Sequence, residues 1–444
     1  MRVFSFPSPI CFNLAVVVLL WASVPNCCWA GDWRQFRGPT GQGIAEADPP
    51  IEFGVDSAVK WKTPIAGKGW SSPVVQGDKI WLTSAVVVPA TKEEREAKLA
   101  GDKMASIKEV AGSIELFAIC VDFETGSVVH RIELASFDDP EPVNPLNSFA
   151  SPTPIIDGQQ IFVDFGNYGT WCLNSSSGDI LWKRRYEVDY SVGPGSSPFL
   201  LANKLILVCD GIDQQYVVAL ERSTGKELWR TNRPPKDASN VEFHKAYSTP
   251  VAIQVAGQTQ VVIPTAQWVC GYRPEDGKEL WRFNHGRGFS VSPSPIFVDG
   301  LVVFSTGYMR PELVAVDPTG KGDVTDSKLA WRMSRGVPAM PSPILAGEKI
   351  YMISDDGILS QLDPKTGDIQ WKERVAGQFS ASPVTASGRI YLCSREGIVT
   401  VVQAGSEYKE LARNKLDSRL MASPAIVGDE LVIRTEESLY RIGR

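Results

Sequence analysis

The residues of this sequence that could do chemistry lie closest together at His244, Lys245 and Tyr247, in the segment "FHKAY". An imidazole next to an ammonium group could bind an anion or move protons between reacting groups. The alternative is a polar surface loop without a ligand, which we favour because polarity is a general property of loops. Which interpretation holds depends on the elements that position the segment.

Signatures of metal binding and of nucleophilic catalysis are absent from the sequence. The three histidines form no pair at metal-ligand spacing, and no CxxC, CxxCH, G-x-S-x-G or P-loop motif occurs. The segment "CDGIDQQY", residues 209–216, has two acidic residues but lacks the other ligands of a calcium loop. Five cysteines lie singly in apolar segments, and we expect small buried side chains there while their disulfide state stays open: Cys120, Cys172, Cys209, Cys270 and Cys393.

Residues 1–30 are typical of a secretory signal. Arg2 precedes an apolar run at 14–22 that is too short to span a bilayer, and small residues suit cleavage after Ala30. A lipid anchor on Cys27 or Cys28 is the alternative, but the residues before them match a lipobox poorly. The sequence therefore predicts an exported protein of the periplasm or cell envelope, with no transmembrane segment once the signal is cleaved.

The rest of the chain has the composition of a folded, weakly acidic protein. Of the 444 residues, 43% are hydrophobic and 22% charged, and the formal net charge is −6. Because no block of lysine and arginine stands out, neither nucleic acid nor an anionic membrane surface is an expected partner.

A Ser-Pro or Ser-Thr-Pro anchor recurs along the chain at intervals that settle near 40 residues. The eight anchors are Ser72-Pro73, Ser151-Pro152, Ser197-Pro198, "STP" at 248–250, Ser294-Pro295, Ser342-Pro343, Ser382-Pro383 and Ser423-Pro424. Short β-rich runs follow most anchors, separated by Gly-Asp or Asp-Gly turns and by an Asp-x-x-Thr-Gly turn before a tryptophan run. Four strands in each period of this length predict a propeller blade, and eight anchors predict eight blades.

The tryptophans of the fourth strands support this count: Trp182, Trp229, Trp281, Trp331 and Trp371. His130 and Ala412 occupy the same position in blades 1 and 7. Blade 8 ends with three strands at Arg444, and the segment "VKWKTPI" at 59–65, with Trp61, can supply the fourth. We therefore predict an all-β, eight-bladed propeller closed by an N-terminal strand, because closure removes exposed sheet edges.

These motifs together resemble the pyrroloquinoline-quinone (PQQ) repeat family over nearly all of 59–444. The resemblance implies that the tryptophans dock blades, and it covers both quinoprotein dehydrogenases and non-catalytic propellers, of which the outer-membrane assembly lipoproteins are the nearer match. The dehydrogenases use PQQ with Ca²⁺ held by acidic residues, an aspartate base, a stacking tryptophan and often a disulfide between adjacent cysteines. Adjacent cysteines occur here only in the signal. Trp268 is a candidate for the stacking tryptophan, but an aromatic residue at the end of a strand more often packs against its neighbours.

The predicted strand order places the long insertions mainly on one face of the ring. They are the 85–115 segment, expected to hold a short helix broken at Gly101, and the Pro-rich loops 136–150 and 230–247. The insertion at 318–328 is expected to be a lengthened hairpin. Candidate ligand residues on the elaborated face are Asn147, Tyr168, His244, Lys245, Tyr247, Trp268 and Arg310.

The sequence thus predicts a signal (1–30), an N-terminal arm (31–58) and a propeller (59–444). We expect a monomeric, non-catalytic module that binds a protein, peptide or saccharide on the elaborated face, with neither metal nor cofactor. The alternative is a PQQ- and Ca²⁺-dependent oxidoreductase of the alcohol or polyol dehydrogenase type.

Overall fold

A computed structural model describes Met1 and residues 31–55, 57–237 and 239–444. The predicted signal, apart from Met1, lies outside the described residues. Within them the chain forms eight sheets that follow one another in sequence, each built around an antiparallel four-stranded meander. The predicted eight-bladed propeller is confirmed.

Each blade begins with a short inner strand and ends with an outer strand. The strands of blades 1 to 4 are Val74–Gln76, Lys79–Pro89, Ala111–Asp122 and Val128–Asp138; Ile155–Asp157, Gln160–Asp164, Thr170–Asn174 and Ile180–Arg184; Phe199–Leu201, Lys204–Asp210, Gln215–Glu221 and Glu227–Asn232; Val251–Val255, Gln258–Pro264, Trp268–Tyr272 and Glu279–Asn284.

Blades 5 to 8 repeat the pattern. Their strands are Ile296–Val298, Leu301–Ser305, Leu313–Val316 and Leu329–Met333; Ile344–Ala346, Lys349–Ile353, Ile358–Leu362 and Ile369–Arg374; Val384–Ala386, Arg389–Cys393, Ile398–Gln403 and Glu410–Lys415; Ala425–Val427, Glu430–Arg434 and Ser438–Ile442. The fourth strand of blade 8 is Val59–Pro64, which pairs antiparallel with Ser438–Ile442, so the predicted closure by the N-terminal strand is also confirmed.

Helices are few and short. The described residues contain one α-helix, Lys92–Lys98, and the 3₁₀ helices Ala105–Ile107, Gly166–Tyr168 and Val241–His244. The α-helix starts at a capping box, in which Thr91 accepts from the amide of Glu94 and the Glu94 carboxylate accepts from the amide of Thr91. Only part of the 85–115 insertion is therefore helical, because its two ends extend the second and third strands of blade 1.

The Ser-Pro anchors form a hydrogen-bonded belt around the propeller axis. At six junctions the backbone N–H of one anchor residue donates to the hydroxyl of the equivalent residue in the next blade, at 2.9 to 3.0 Å: Ser72 to Thr153, Thr153 to Ser197, Ser197 to Thr249, Ser294 to Ser342, Ser342 to Ser382 and Ser382 to Ser423. In blade 2 the belt residue is Thr153, so the anchor is Thr153-Pro154 rather than the expected Ser151-Pro152. The hydroxyl is needed because each belt amide is buried and requires an acceptor.

Two faces of the ring differ in their connections. We call the face with the turns between strands 1 and 2 and between strands 3 and 4 the turn face, and the opposite face the loop face. Residues 31–45 lie across the turn face: Trp33 forms an antiparallel bridge with Val75 of blade 1, Gln42 accepts from the amide of Phe297 in blade 5, and Ile44–Ala45 pairs parallel with blade 7. Because blades 1 and 5 lie opposite each other in an eight-membered ring, this segment crosses the axis.

Two departures from the regular repeat, Ala412 in blade 7 and the insertion at 318–328 in blade 5, involve additional chain segments packed against the blades. At Ala412 in blade 7, where blades 2 to 6 and 8 have tryptophan, the arm covers the gap: Asn414 exchanges hydrogen bonds of 2.9 Å with Phe53 and Ile51, and Phe53 is buried. The 318–328 insertion is more than a lengthened hairpin, since Gly322–Asp323 adds a parallel fifth strand to the outer edge of blade 4. Trp281 is buried beneath it.

Candidate functional site on the loop face

The structure assigns His244, Lys245 and Tyr247 to the loop that leads into blade 4, but it does not bring them together as an open reactive site. The buried Lys245 ammonium forms an ion pair with Glu242, whose carboxylate also accepts from the Ser191 hydroxyl at 2.9 Å. Burial lowers the pKa of Lys245. The buried Tyr247 hydroxyl donates to the carbonyl oxygen of Tyr190 at 2.8 Å. Lys245 and Tyr247 therefore hold the loops before blades 3 and 4 together. The partly buried His244 is the last residue of the short helix Val241–His244 in the loop before blade 4.

Asn147 and Tyr168 are also engaged within the loop face. The Asn147 amide donates to the carbonyl oxygens of Val192 and Pro194, both at 3.0 Å. Tyr168 is buried between Phe137 and Phe149, with ring centroids 5.0 and 6.0 Å away, and burial raises its pKa. Tyr168 is therefore enclosed by aromatic rings, whereas partly buried Asn147 lines a pocket beside the blade 1 insertion.

Trp268 and Arg310 lie further out. Trp268 starts the third strand of blade 4, its indole nitrogen donates to the Pro235 carbonyl at 3.0 Å, and the Arg282 guanidinium lies 5.3 Å from its ring centroid. Arg310 is exposed in the loop after the second strand of blade 5. Arg310 is the one of the seven candidates that is an exposed residue.

Non-repeating loops of the first five blades join edge to edge over the loop face. Glu109 and Val143 form an antiparallel bridge, Asn144 donates to the carbonyl of Val192 at 3.1 Å, and Ser191 bonds to Glu242. The chain of contacts then continues from Tyr247 to Val291 at 2.8 Å and from Tyr308 to Phe289 at 2.9 Å. We call these segments, residues 105–110, 143–147, 190–194, 240–247, 288–291 and 307–310, the roof.

An apolar patch ends the roof at blades 4 and 5, and it consists of Val241, Phe243, Phe289, Tyr308 and Met309. The Phe243 and Phe289 centroids are 4.5 Å apart, and Phe289 meets Tyr308 edge-on at 6.0 Å. The exposed fractions are 47% for Val241, 57% for Tyr308 and 68% for Met309. Met309 has a left-handed backbone, with φ of 73°, which costs energy for a residue other than glycine. Exposed apolar clusters of this kind are typical of interaction surfaces.

Sequence reasoning missed most of this patch. Phe243 and Phe289 belong to different blades, 46 positions apart in numbering, and nothing in their local sequence links them. One signal was available: the loop "TGYMRPE" in blade 5 stands where blades 6 and 7 have the plain turns "SDDG" and "SREG".

A pocket of about 290 Å³ lies at the other end of the roof, between the blade 1 insertion and the loop before blade 2. Val87, Val143 and Phe149 form apolar walls, and Lys68 and Arg95 bring positive charge. Glu109 approaches Lys68 to 3.8 Å and partly offsets that charge. The pocket is a second place where the roof could take up a side chain.

The strongly perturbed titratable groups near the roof are interior ones. His285 is buried, its Nε2 lies 2.9 Å from the carbonyl oxygen of Thr265, and burial lowers its pKa to about 4. Burial lowers the pKa of Lys236 to about 8, and its ammonium donates to the Ala266 carbonyl at 2.9 Å. The five predicted cysteines are buried free thiols. The apolar patch itself thus offers surface contact rather than proton transfer.

The described residues contain neither a metal-binding cluster nor a membrane-spanning helix. No group of three or more His, Cys, Asp or Glu side chains in residues 31–55, 57–237 and 239–444 has an arrangement that could hold a metal ion. Across the same residues, no helix has both the length and the apolar character needed to cross a bilayer.

Comparison with protein families places the repeat. Residues 76–263, 118–373 and 213–444 each match the family described as outer membrane protein assembly factor BamB, and together they span well over half of the chain. The chain belongs to this family of PQQ-like propellers.

Solved structures of the same architecture are more distant in sequence. A europium-containing methanol dehydrogenase superposes with a TM-score of 0.64 at 11% identity, covering 92% of this chain and 90% of that one. A quinohemoprotein alcohol dehydrogenase from Comamonas testosteroni gives 0.62 at 10% identity, covering 93% and 80%. At these identities the likeness shows the fold alone.

One curated relative is a much longer protein. The beta-alanine-activating enzyme of Drosophila melanogaster is 23% identical over 276 residues, which are 58% of this chain and 24% of that protein. This chain spans about a quarter of that relative's length.

Trp268, the candidate for stacking on a PQQ ring, has the packing role that its position on a strand favours. Trp268 pairs in register with Asn284 of the fourth strand of blade 4, its indole nitrogen donates to the Pro235 carbonyl, and the Arg282 guanidinium lies 5.3 Å from its ring centroid. A cofactor floor needs an open aromatic face, and the contacts with Arg282 and Pro235 leave Trp268 unsuited to that role.

Proposed function

We propose that this chain is an exported, non-catalytic binding module that takes up a segment of another protein on its roof. The observation that carries the proposal is the apolar patch, in which Tyr308 and Met309 expose more than half of their surface on a set of hydrogen-bonded loops. Covering these side chains with an apolar partner would remove them from water at about 25 cal/mol per Å². Exposed Arg310 at the edge suits a carboxylate on the same partner.

A protein segment fits the patch better than a saccharide does. Val241 and Met309 offer no hydrogen-bonding groups, whereas a sugar needs several donors and acceptors at fixed positions. The family description, an outer membrane assembly factor, agrees with a protein partner in the cell envelope. The signal-like residues 1–30 support export, and amino-terminal sequencing of the envelope fraction should start at Gly31.

Site-specific photo-crosslinking in intact cells tests the binding site. A photoreactive residue at Met309 should give a discrete adduct with another protein, which the Arg310→Glu variant weakens. The same residue at Leu329, which is 46% exposed on the outer strand of the same blade, is the matched control. Equal adducts at both positions, or none at Met309, would contradict a docking site at the patch.

The enzymatic alternative is tested separately on the purified protein. Calorimetric titration with PQQ in the presence of Ca²⁺, followed by alcohols and a redox dye, should give neither binding heat nor dye reduction. Tight binding with dye reduction would replace the binding-module proposal by a quinoprotein dehydrogenase.

A further inference from the structure

Arg434, at the end of the second strand of blade 8, is a buried cation whose contacts lie across the junction with blade 1. Its side chain belongs to a residue only 1% exposed. Nη1 donates to the Ser71 hydroxyl at 2.6 Å, to the Thr83 carbonyl at 2.8 Å and to the Ser71 carbonyl at 3.2 Å. These oxygens are all neutral, so they fix the guanidinium in place without balancing its charge.

The opposite edge of the same guanidinium has no acceptor among the described residues. Nε and Nη2 of Arg434 are both buried and both unpaired. In a guanidinium, Nε and Nη2 direct two roughly parallel N–H bonds from the same edge, and this pair of donors can bind one anion. Burial without a carboxylate lowers the pKa of Arg434 to about 9, which reflects the same uncompensated charge.

Gly69 makes room for this arrangement. A Cβ atom there would lie 2.7 Å from Nη2 of Arg434 and 2.7 Å from the Thr83 carbonyl oxygen. Gly69 has no left-handed backbone that would itself call for glycine. The missing side chain therefore serves the close approach of the guanidinium.

We propose that the Nε–H and Nη2–H edge of Arg434 binds a small monovalent inorganic anion, of the chloride class, at the junction of blades 8 and 1. A buried cation is stabilised when an anion accepts its free hydrogen bonds and neutralises its charge. The anion is small because the two nitrogens are closed off from solvent. Since this junction closes the ring, the anion stabilises closure.

Arg37 provides a contrast within the same chain. It is equally buried, and its Nη2 donates to the carbonyl oxygens of Pro343 at 2.7 Å and Gln42 at 3.1 Å. Its unpaired nitrogens are Nε and Nη1, which direct their N–H bonds to different edges. Arg37 therefore lacks the two-pronged edge that Arg434 offers.

Crystals of residues 31–444 grown in sodium bromide test the site directly. An anomalous bromide peak within hydrogen-bonding distance of both Nε and Nη2 of Arg434 is the expected result. An ordered water there, without anomalous signal, would overturn the proposal. This experiment needs no variant and so does not depend on one that folds.

Thermal unfolding gives a second readout in solution. At constant ionic strength, replacing gluconate by bromide should raise the wild-type Tm saturably by about 1–3 °C, because a ligand bound only by the folded state stabilises it. Arg434→Gln should abolish this rise, and Arg37→Gln should keep it. The same bromide response in wild type and Arg434→Gln would refute the assignment.

Discussion

The ring of Trp182 in blade 2 lies directly against Gly225 in the Thr-Gly turn of blade 3, where a Cβ atom would be 2.6 Å from it. The indole nitrogen also donates to the Arg222 carbonyl of the same turn at 2.9 Å. Trp61, Trp229 and Trp331 repeat both contacts, on Gly126, Gly277 and Gly367, with hydrogen bonds of 2.8 to 3.0 Å. The glycine of this turn is required by the neighbouring blade as well as by the turn.

We predict that Gly225→Ala destabilises the protein more than Gly158→Ala. Both glycines have left-handed backbones, with φ of 65° and 63°, but a Cβ at Gly158 meets open space. The strain of φ alone costs about 1–2 kcal/mol, and displacement of Trp182 should add about 1–3 kcal/mol at Gly225. Chemical denaturation measures both free energies of unfolding. Equal losses would show that the tryptophan contact contributes nothing.

The closing strand should be essential to the whole ring. Trp61→Ala removes the tryptophan contact of the Val59–Pro64 strand with blade 1 and should cost about 3 kcal/mol, while deletion of residues 31–65 should lower the Tm of the whole propeller. Leu228→Ala, at an exposed position on an outer strand, is the control and should change stability by at most about 0.5 kcal/mol. A truncated protein that melts like the full chain would disprove the role of this strand.

Breaking the buried Arg233–Asp210 ion pair should cost far more free energy of unfolding than breaking a surface pair. Both side chains are fully buried, with two hydrogen bonds of 2.9 and 3.0 Å, and Arg233 also donates to Tyr272 at 3.1 Å. Asp210→Ala leaves a buried cation unpaired and should cost about 3–5 kcal/mol. Glu227→Ala, which breaks the exposed pair with Arg230, should cost under about 1 kcal/mol. Urea denaturation of the two variants decides, and similar losses would contradict the argument.

His285 should make the protein sensitive to mild acid. Its folded-state pKa is about 4, below the ordinary value of 6.5, because burial disfavours the charged ring. Between these values the unfolded chain binds a proton that the folded chain does not, so stability falls as pH decreases from 6.5 to 4. At about 1.4 kcal/mol per pH unit, the His285 contribution approaches 3 kcal/mol.

The comparison with His285→Gln isolates this effect. The difference in unfolding free energy between wild type and variant, measured by denaturation from pH 8 to pH 4, should change steadily below pH 6.5 in favour of the variant. A difference that stays constant over this range would show that His285 does not titrate on unfolding.

Much of the architecture was predictable because it depends on short local sequence motifs that recur in each blade. Each anchor, turn and outer tryptophan depends on a few neighbouring residues, and eight copies reveal the period where one would not. The sequence also located the exceptions to the repeat, His130 and Ala412 among them. It did not predict which residues pack there: Phe53 covers the seam beside Ala412, and the His130 ring bonds to the Ser176 carbonyl and stacks on Trp81.

The sequence by itself determined the eight blades, the closing strand and the face on which the long loops lie, because strand order follows from chain order in a meander. Only the tertiary structure decided which loop residues remain open to a partner. Lys245 and Tyr247 are polar and were natural candidates, yet Glu242 and Tyr190 engage them, whereas Val241, Tyr308 and Met309 form the exposed part of the apolar patch. The reason is physical: the burial and pairing of a loop residue depend on side chains from other blades. Those side chains are far away in the sequence and become its neighbours only in the folded ring.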